Sequence, residues 1–325
     1  KQFILEITGI HTFKSVSAES YSEHVLLLQC ISAIEWKKTN GPIHLYTSEK
    51  DRIFLEALGI TELYDHVNTS ILDEPDEIYW PHFGAACKMK VLNSIQEFPI
   101  AFIDNDLIYR DKISIEDESI IYLHDESLFW KNYPPLNFLN PREDYQFPDL
   151  KSLDTANPIN VGLFVINDKN LKEEYCKLAL DFMNKNPNMP KMVDWAPESL
   201  IKFWKPLFVE QRLLGAVIEN GSYKSRQLFP YTYVGDILKW RCKVTEKEYL
   251  TEELSKIEKI TWFHLWGEKA NYSKPGGEYL KIKKFYEIVN ALSSYGPNYR
   301  TIIQNIYSFL LERSIELEQP FEYKL

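Results

Sequence analysis

The sequence predicts an α/β protein, with a mostly parallel central sheet flanked by helices and a helical C-terminal extension. Three observations carry that expectation. Strand-like and helix-like segments alternate through the first half with short connections, the pattern of parallel strands joined by covering helices. Ile100-Ala101-Phe102-Ile103 is apolar throughout, as in a strand covered on both faces. Everything after Gly276 reads as helix, broken at Gly296-Pro297.

The elements follow in order. Tyr21, Val25, Leu28, Ile31 and Ile34 recur at helical spacing and predict an amphipathic helix over residues 19–38. Gly41-Pro42 ends it, and Ile43-His44-Leu45-Tyr46-Thr47 is a short strand. Ser48 is placed to cap a helix through Phe54, Leu55 and Leu58 that closes at Gly59. Residues 64–67 make a weaker strand. Residues 83–98 carry Ala86, Met89, Val91, Leu92 and Ile95 on a helix that Pro99 stops before the apolar strand. Residues 133–158 hold prolines 134, 135, 141, 148 and 158 and predict a long loop of the kind that serves as a lid. Residues 159–167 read as a strand with Gly162 inside it, 171–184 and 206–218 as helices, and 260–264 as a last strand.

Composition bounds the function. The chain has 325 residues, 45% apolar and 26% charged, which is ordinary for a globular protein. Its net charge is −10, so no nucleic-acid partner is expected. No run of about 18 apolar residues spans a membrane, and no basic–apolar–small leader opens the chain. A cytoplasmic location is the expectation, with peripheral membrane association and oligomeric state left open. Cys30, Cys87, Cys176 and Cys242 are spaced neither as a disulfide framework nor as metal ligands and are expected to be buried thiols. The phosphate-binding loops GxxxxGK[ST] and GxGxxG, the zinc helix HExxH and the serine elbow GxSxG are absent.

Five features carry chemistry. Asp104-Asn105-Asp106 directly follows the apolar strand, where two carboxylates are costly unless paired or bound to a cation. Mg²⁺ and Mn²⁺ take such hard oxygen ligands together with substrate phosphates. His264-Leu265-Trp266-Gly267-Glu268-Lys269 offers an imidazole and an ammonium near a strand end. Asn160-Val161-Gly162-Leu163-Phe164 sets a glycine where a ligand or another backbone comes close. Glu210-Gln211 can bond sugar hydroxyls. Lys88 lies on the helix before the Asp-x-Asp strand. Read singly, each has a bland alternative: solvated carboxylates, a core histidine among tryptophans, a strand bulge, a wet helix face, a surface lysine.

Taken in this order, the features resemble the nucleotide-sugar glycosyltransferases of the GT-A fold, most closely families 8 and 32 or an uncharacterised bacterial relative. The resembling elements, from Ile43-His44-Leu45-Tyr46-Thr47 to His264-Leu265-Trp266-Gly267, span about residues 41–269. The resemblance implies a GT-A-like, Rossmann-like catalytic domain over residues 1–272, its donor half about 1–125 and its acceptor half about 126–272, with the extension 273–325 packed on it. It implies Asp104, Asp106 and His264 as ligands of Mn²⁺ or Mg²⁺ on the donor diphosphate. It implies donor contacts from Thr47, Lys88, Asn105, Asn160, Gly162, Gly267 and Lys269, and a catalytic pair Glu210 and Gln211 at the sugar or acceptor. The activity implied is hexosyl transfer from a nucleotide sugar, UDP-sugar favoured, to a glycan or other hydroxyl acceptor, with retention, in a setting such as polysaccharide biosynthesis. Two departures stand out. Family 8 members usually have His-x-x-Gly-x-x-Lys-Pro-Trp, whereas Lys269 follows Gly267 by two residues and precedes Ala270. Asp-Gln is also common where this chain has Glu210-Gln211. Trp80, Trp130, Trp195 and Trp266 are candidates to stack on sugar rings. The rival expectations are a metal-dependent glycan or phosphoester hydrolase, and a non-catalytic carbohydrate-binding protein.

Overall fold

Strands and helices alternate along the chain in the computed structural model, which describes residues 6–15, 23–73, 86–126, 132–151, 153–228, 262–264, 299–306 and 308. In chain order they form β1 (Thr8–Phe13), α1 (Glu23–Thr39), β2 (Ile43–Thr47), α2 (Glu49–Ala57), β3 (His66–Asn68), α3 (Ser70–Asp73), α4 (Ala86–Ser94), β4 (Ile100–Ile103), β5 (Leu107–Tyr109) and β6 (Ile120–Tyr122). There follow β7 (Leu163–Ile166), α5 (Lys169–Lys185), α6 (Glu198–Ile201), α7 (Trp204–Leu207), α8 (Leu213–Gly221), β8 (Ser225–Gln227) and β9 (Trp262–His264).

The fold is α/β. The larger sheet runs β3-β2-β1-β4-β7-β6-β8, and β5 pairs with β9 in a separate ribbon. The pairs β2–β3, β1–β4 and β6–β8 are parallel, whereas β7 runs antiparallel to both β4 and β6. The reversed β7 makes this a mixed, mostly parallel sheet.

Several expected bounds change. The strand expected over residues 159–167 contracts to Leu163–Ile166, so Gly162 lies just outside it. The strand expected at 64–67 shifts to His66–Asn68. The helix before the Asp-x-Asp strand ends at Ser94, because Lys172 Nζ takes up the Asn93 and Ile95 carbonyls at 3.4 and 2.6 Å and closes it early. The short strands β1, β5, β6 and β8 carry no clear alternation and escape a reading by periodicity. Of the C-terminal extension, residues 299–306 and 308 are helical, and the rest lies outside the described residues.

The chain divides into two compact units. One comprises Lys1–Ile10, Glu74–Asp104 and Ile113–Ile260; the other comprises His11–Asp73, Asn105–Lys112 and Thr261–Leu325. In the first unit β4 and β7 are wholly buried, and the Phe102 and Phe164 rings stack across the pair at 5.3 Å. Each such ring, fully removed from water, contributes about 1.5–3 kcal/mol. The loop after Tyr133 is irregular, as expected, but it is tied down. The buried Arg212 donates to Pro134 O at 2.7 Å, to Leu153 O at 2.8 Å and to Asp154 Oδ1 at 2.9 Å.

In the second unit α1 is buried on every face from Leu26 to Trp36, which replaces the expected amphipathic stripe. Three of its inward polar side chains make contacts: Gln29 Nε2 donates to Tyr64 Oη at 2.9 Å, Ser32 bonds His11 at 3.0 Å, and Glu35 pairs with Arg110 at 3.4 Å. Ser48 caps α2 as its sequence suggests, with Asp51 N–H donating to Ser48 Oγ and Ser48 Oγ–H returning a bond to the Asp51 carboxylate. Gly59 closes that helix at φ +78°, the left-handed region that favours glycine.

Candidate active site

Asp104 leaves the end of β4 in the first unit. Its backbone N–H donates to Gly162 O at 2.7 Å, so the strand pairing continues one step past the ladder. Gly162 is held in turn, its N–H donating to Asn160 Oδ1 at 3.0 Å. Asn160 N–H donates to His124 O at 2.8 Å, and Asn160 Nδ2 donates to Glu126 Oε1 at 2.7 Å. The Asn-x-Gly segment therefore anchors the backbone that carries Asp104.

Lys88 on α4 reaches the same carboxylate. Its Nζ lies 2.5 Å from Asp104 Oδ1 and 3.4 Å from Glu210 Oε1. The three side chains are 13%, 26% and 17% exposed, so their charges interact in a poorly hydrated setting. Burial opposes the ammonium of Lys88, but Asp104 and then Glu210 outweigh it and raise its pKa above the ordinary lysine value. Burial raises the pKa of Glu210; Lys88 opposes the rise and Asp104 adds to it.

Glu210 and Gln211 sit on a π-helical turn, Phe208–Arg212, between α7 and α8. The expectation of one regular helix over 206–218 is thus corrected. A π turn widens the helix by one residue and is often found where side chains must be re-aimed. Tyr175 Oη donates to Val209 O at 3.1 Å and Glu210 O at 3.3 Å, and Ile159 N–H donates to Gln211 O at 3.3 Å. The Gln211 side-chain oxygen accepts from Tyr133 Oη. Close packing continues into α8: a Cβ on Gly215 would stand 2.4 Å from Asn157 O. Tyr133 and Tyr175 were not anticipated, and nothing local in the sequence marks either one.

In the second unit Asn105 Nδ2 donates to Thr12 O at 3.0 Å. Asn105 Oδ1, and Thr47 Oγ1 at the end of β2, are buried with no hydrogen-bond partner among the described residues. Asp106 is 6% exposed. It immediately precedes β5, whose Leu107 stands opposite His264 of β9 in the antiparallel register. Directly opposed residues have Cα atoms about 4.5–5.5 Å apart. The His264 side chain, Gly267, Lys269, Trp80, Trp130 and Trp266 lie outside the described residues. Trp195, 37% exposed, packs at 5.3 Å against Trp204 and edge-on at 5.8 Å to Phe138. Among the described residues no three His, Cys, Asp or Glu side chains converge as a metal cluster. Within the second unit, the Asp106 carboxylate and the buried Asn105 Oδ1 are oxygen donors of the kind a hard cation takes. Cys30, Cys87 and Cys176 are buried and not in disulfides, and burial pushes the Cys30 and Cys176 thiols up to about 12. Cys242 lies outside the described residues. No helix among the described residues is long and apolar enough to cross a membrane.

No family model matches the chain, and no curated protein matches it. Solved structures give distant matches. The apo glycosyltransferase GlyE of Streptococcus pneumoniae TIGR4 shares 10% identity at a TM-score of 0.36, over 68% of this chain and 45% of that one. The inositol-1-phosphate CTP transferase of T. maritima shares 11% identity at 0.36, over 68% and 84%. Mouse xyloside xylosyltransferase 1 shares 11% identity at 0.34, over 69% and 85%. The chain thus spans less than half of the GlyE structure. At these scores the likeness carries no argument about activity or substrate, which rests on the side chains.

Proposed function

We propose that this chain is a metal-dependent glycosyltransferase that moves a hexosyl group from a nucleotide-diphosphate sugar, UDP-sugar favoured, to a hydroxyl of a glycan or other acceptor, with retention. The observation that carries the reading is the Lys88–Asp104–Glu210 cluster. Three residues from distant stretches of the chain, whose sequence context points to donor or catalytic work, meet in the first unit.

Asp104, Asp106 and His264 would hold the divalent cation, which when bound offsets the charge that grows on the departing diphosphate. Asn105 Oδ1 and Thr47 Oγ1 are buried polar atoms suited to the nucleotide. Glu210 and Gln211, fixed by the π turn, offer carboxylate and amide oxygens to a sugar with oxocarbenium character. Asn160 and Gly162 hold the Asp104 backbone in place, while Gly267 and Lys269 would face the phosphates. Bacterial surface-polysaccharide synthesis is a setting in keeping with this chemistry.

The test is a thermal-shift panel of nucleotides and nucleotide sugars with Mn²⁺. Mn²⁺ with UDP is expected to raise the melting temperature more than either alone, because the diphosphate completes the cation's shell. Asp104→Asn and Asp106→Asn are expected to lose that joint shift and all sugar transfer while still unfolding cooperatively without ligand, Asp104→Asn at a lower temperature because Lys88 loses its nearest counter-charge. A melting curve unmoved by every nucleotide–metal pair sinks the reading, as does full transferase activity in purified Asp106→Ala.

A further inference from the structure

We propose that Lys88 is a built-in stand-in cation for the Asp104 carboxylate, which a divalent metal must displace in order to bind. The inference rests on the donor-site reading above and adds the order of events there. Lys88 Nζ is 2.5 Å from Asp104 Oδ1, within contact of a ligand oxygen that a metal would use. Asp104 and Glu210 are both part-buried, and Lys88 lies within 3.4 Å of each, so it screens one carboxylate from the other. An ammonium and a dication in contact with the same carboxylate oxygen repel each other strongly where water is scarce. Metal entry therefore requires Lys88 to give up Asp104. It retains Glu210, so its charge is not stranded. A site already supplied with a cation has little affinity for a second one alone. A nucleoside diphosphate changes that balance, since its phosphates bring negative charge for both the metal and the released lysine. The consequence is concerted loading, in which the metal binds well only together with the diphosphate.

The experiment is a Mn²⁺ titration without nucleotide, with free ion followed by electron paramagnetic resonance, on the wild type, Lys88→Met, Lys88→Arg and Lys90→Met. Lys90 lies two residues along α4, on another face of the helix. Lys88→Met is expected to bind Mn²⁺ alone roughly tenfold more tightly than the wild type. Lys88→Arg and Lys90→Met are expected to match the wild type. Adding UDP is expected to tighten Mn²⁺ binding in the wild type far more than in Lys88→Met. If Lys88→Met binds the ion no more tightly, or if Lys90→Met tightens it equally, the stand-in role is overturned while wild-type uptake of Mn²⁺ with UDP leaves the donor site standing. Absence of Mn²⁺ uptake by the wild type and every variant, with and without UDP, overturns both.

Discussion

Lys205 is wholly buried, with its Nζ donating to Asn186 O at 2.6 Å and to Asn188 O, above the ring of Phe182. It takes up carbonyls at the end of α5 much as Lys172 does at the end of α4. Burial pushes its pKa down to about 8. An unfolded lysine titrates near 10.4. Between those values the unfolded chain binds more protons than the folded one, so stability contributed here rises with pH through that window. The neutral amine still donates to both carbonyls. The denaturant midpoint of the wild type is therefore expected to gain on that of Lys205→Met from about pH 8 to about 10. A difference that stays constant with pH shows that Lys205 does not titrate there. Neither buried lysine was singled out in the sequence, because nothing adjacent to it tells a surface lysine from one folded over a helix end.

The π turn that presents Glu210 and Gln211 depends on groups far away in the chain. Tyr175 on α5 supplies the hydroxyl that takes up the carbonyls the widened turn releases. Tyr175→Phe removes one buried donor and is expected to lower stability by about 1 kcal/mol. It is also expected to lower turnover, since the turn can then relax towards regular α-helix and re-aim Glu210. Urea denaturation and steady-state kinetics check the two together, and a variant with wild-type kcat shows that the turn does not depend on Tyr175. The apolar spacing of residues 206–218 announces a helix but not its pitch, because the groups that take up the turn's carbonyls, such as Tyr175, lie far off in sequence. The helix over residues 19–38 shows a related limit. Its apolar stripe was readable, yet Gln29, Ser32 and Glu35 are buried as well, because His11, Tyr64 and Arg110 come to meet them.

The large sheet places β4 and β7 at its middle, with every residue buried, and the short, partly exposed β3 and β8 at its edges. Interior strands open only when much of the surrounding packing is lost, while edge strands fray. Amide hydrogen exchange is accordingly expected to be slowest in Ile100–Ile103 and Leu163–Ile166 and much faster in His66–Asn68 and Ser225–Gln227. Equal rates across the four segments contradict that arrangement. The apolar run at Ile100–Ile103 identified one of these inner strands directly. The reversal of β7 was not readable, because strand direction depends on contacts between distant segments, such as those of Arg212 with Pro134 and Leu153 and of Glu126 with Asn160, rather than on any local propensity.

What the sequence determined by itself is whatever short-range physics controls: the α/β alternation, the cap at Ser48, the stop at Gly59, and the two acids placed one residue apart at the end of an apolar strand. Neighbouring residues suffice for these, since capping, periodicity and steric limits act within a turn or two. Only the tertiary structure decided that Lys88 and Glu210 flank Asp104, that a π turn aims Glu210, that Asn160 and Gly162 hold the Asp104 backbone, and that His264 faces Leu107 across a strand pair. Each of these joins segments far apart in sequence, and their meeting depends on chain closure and core packing, which no local pattern encodes.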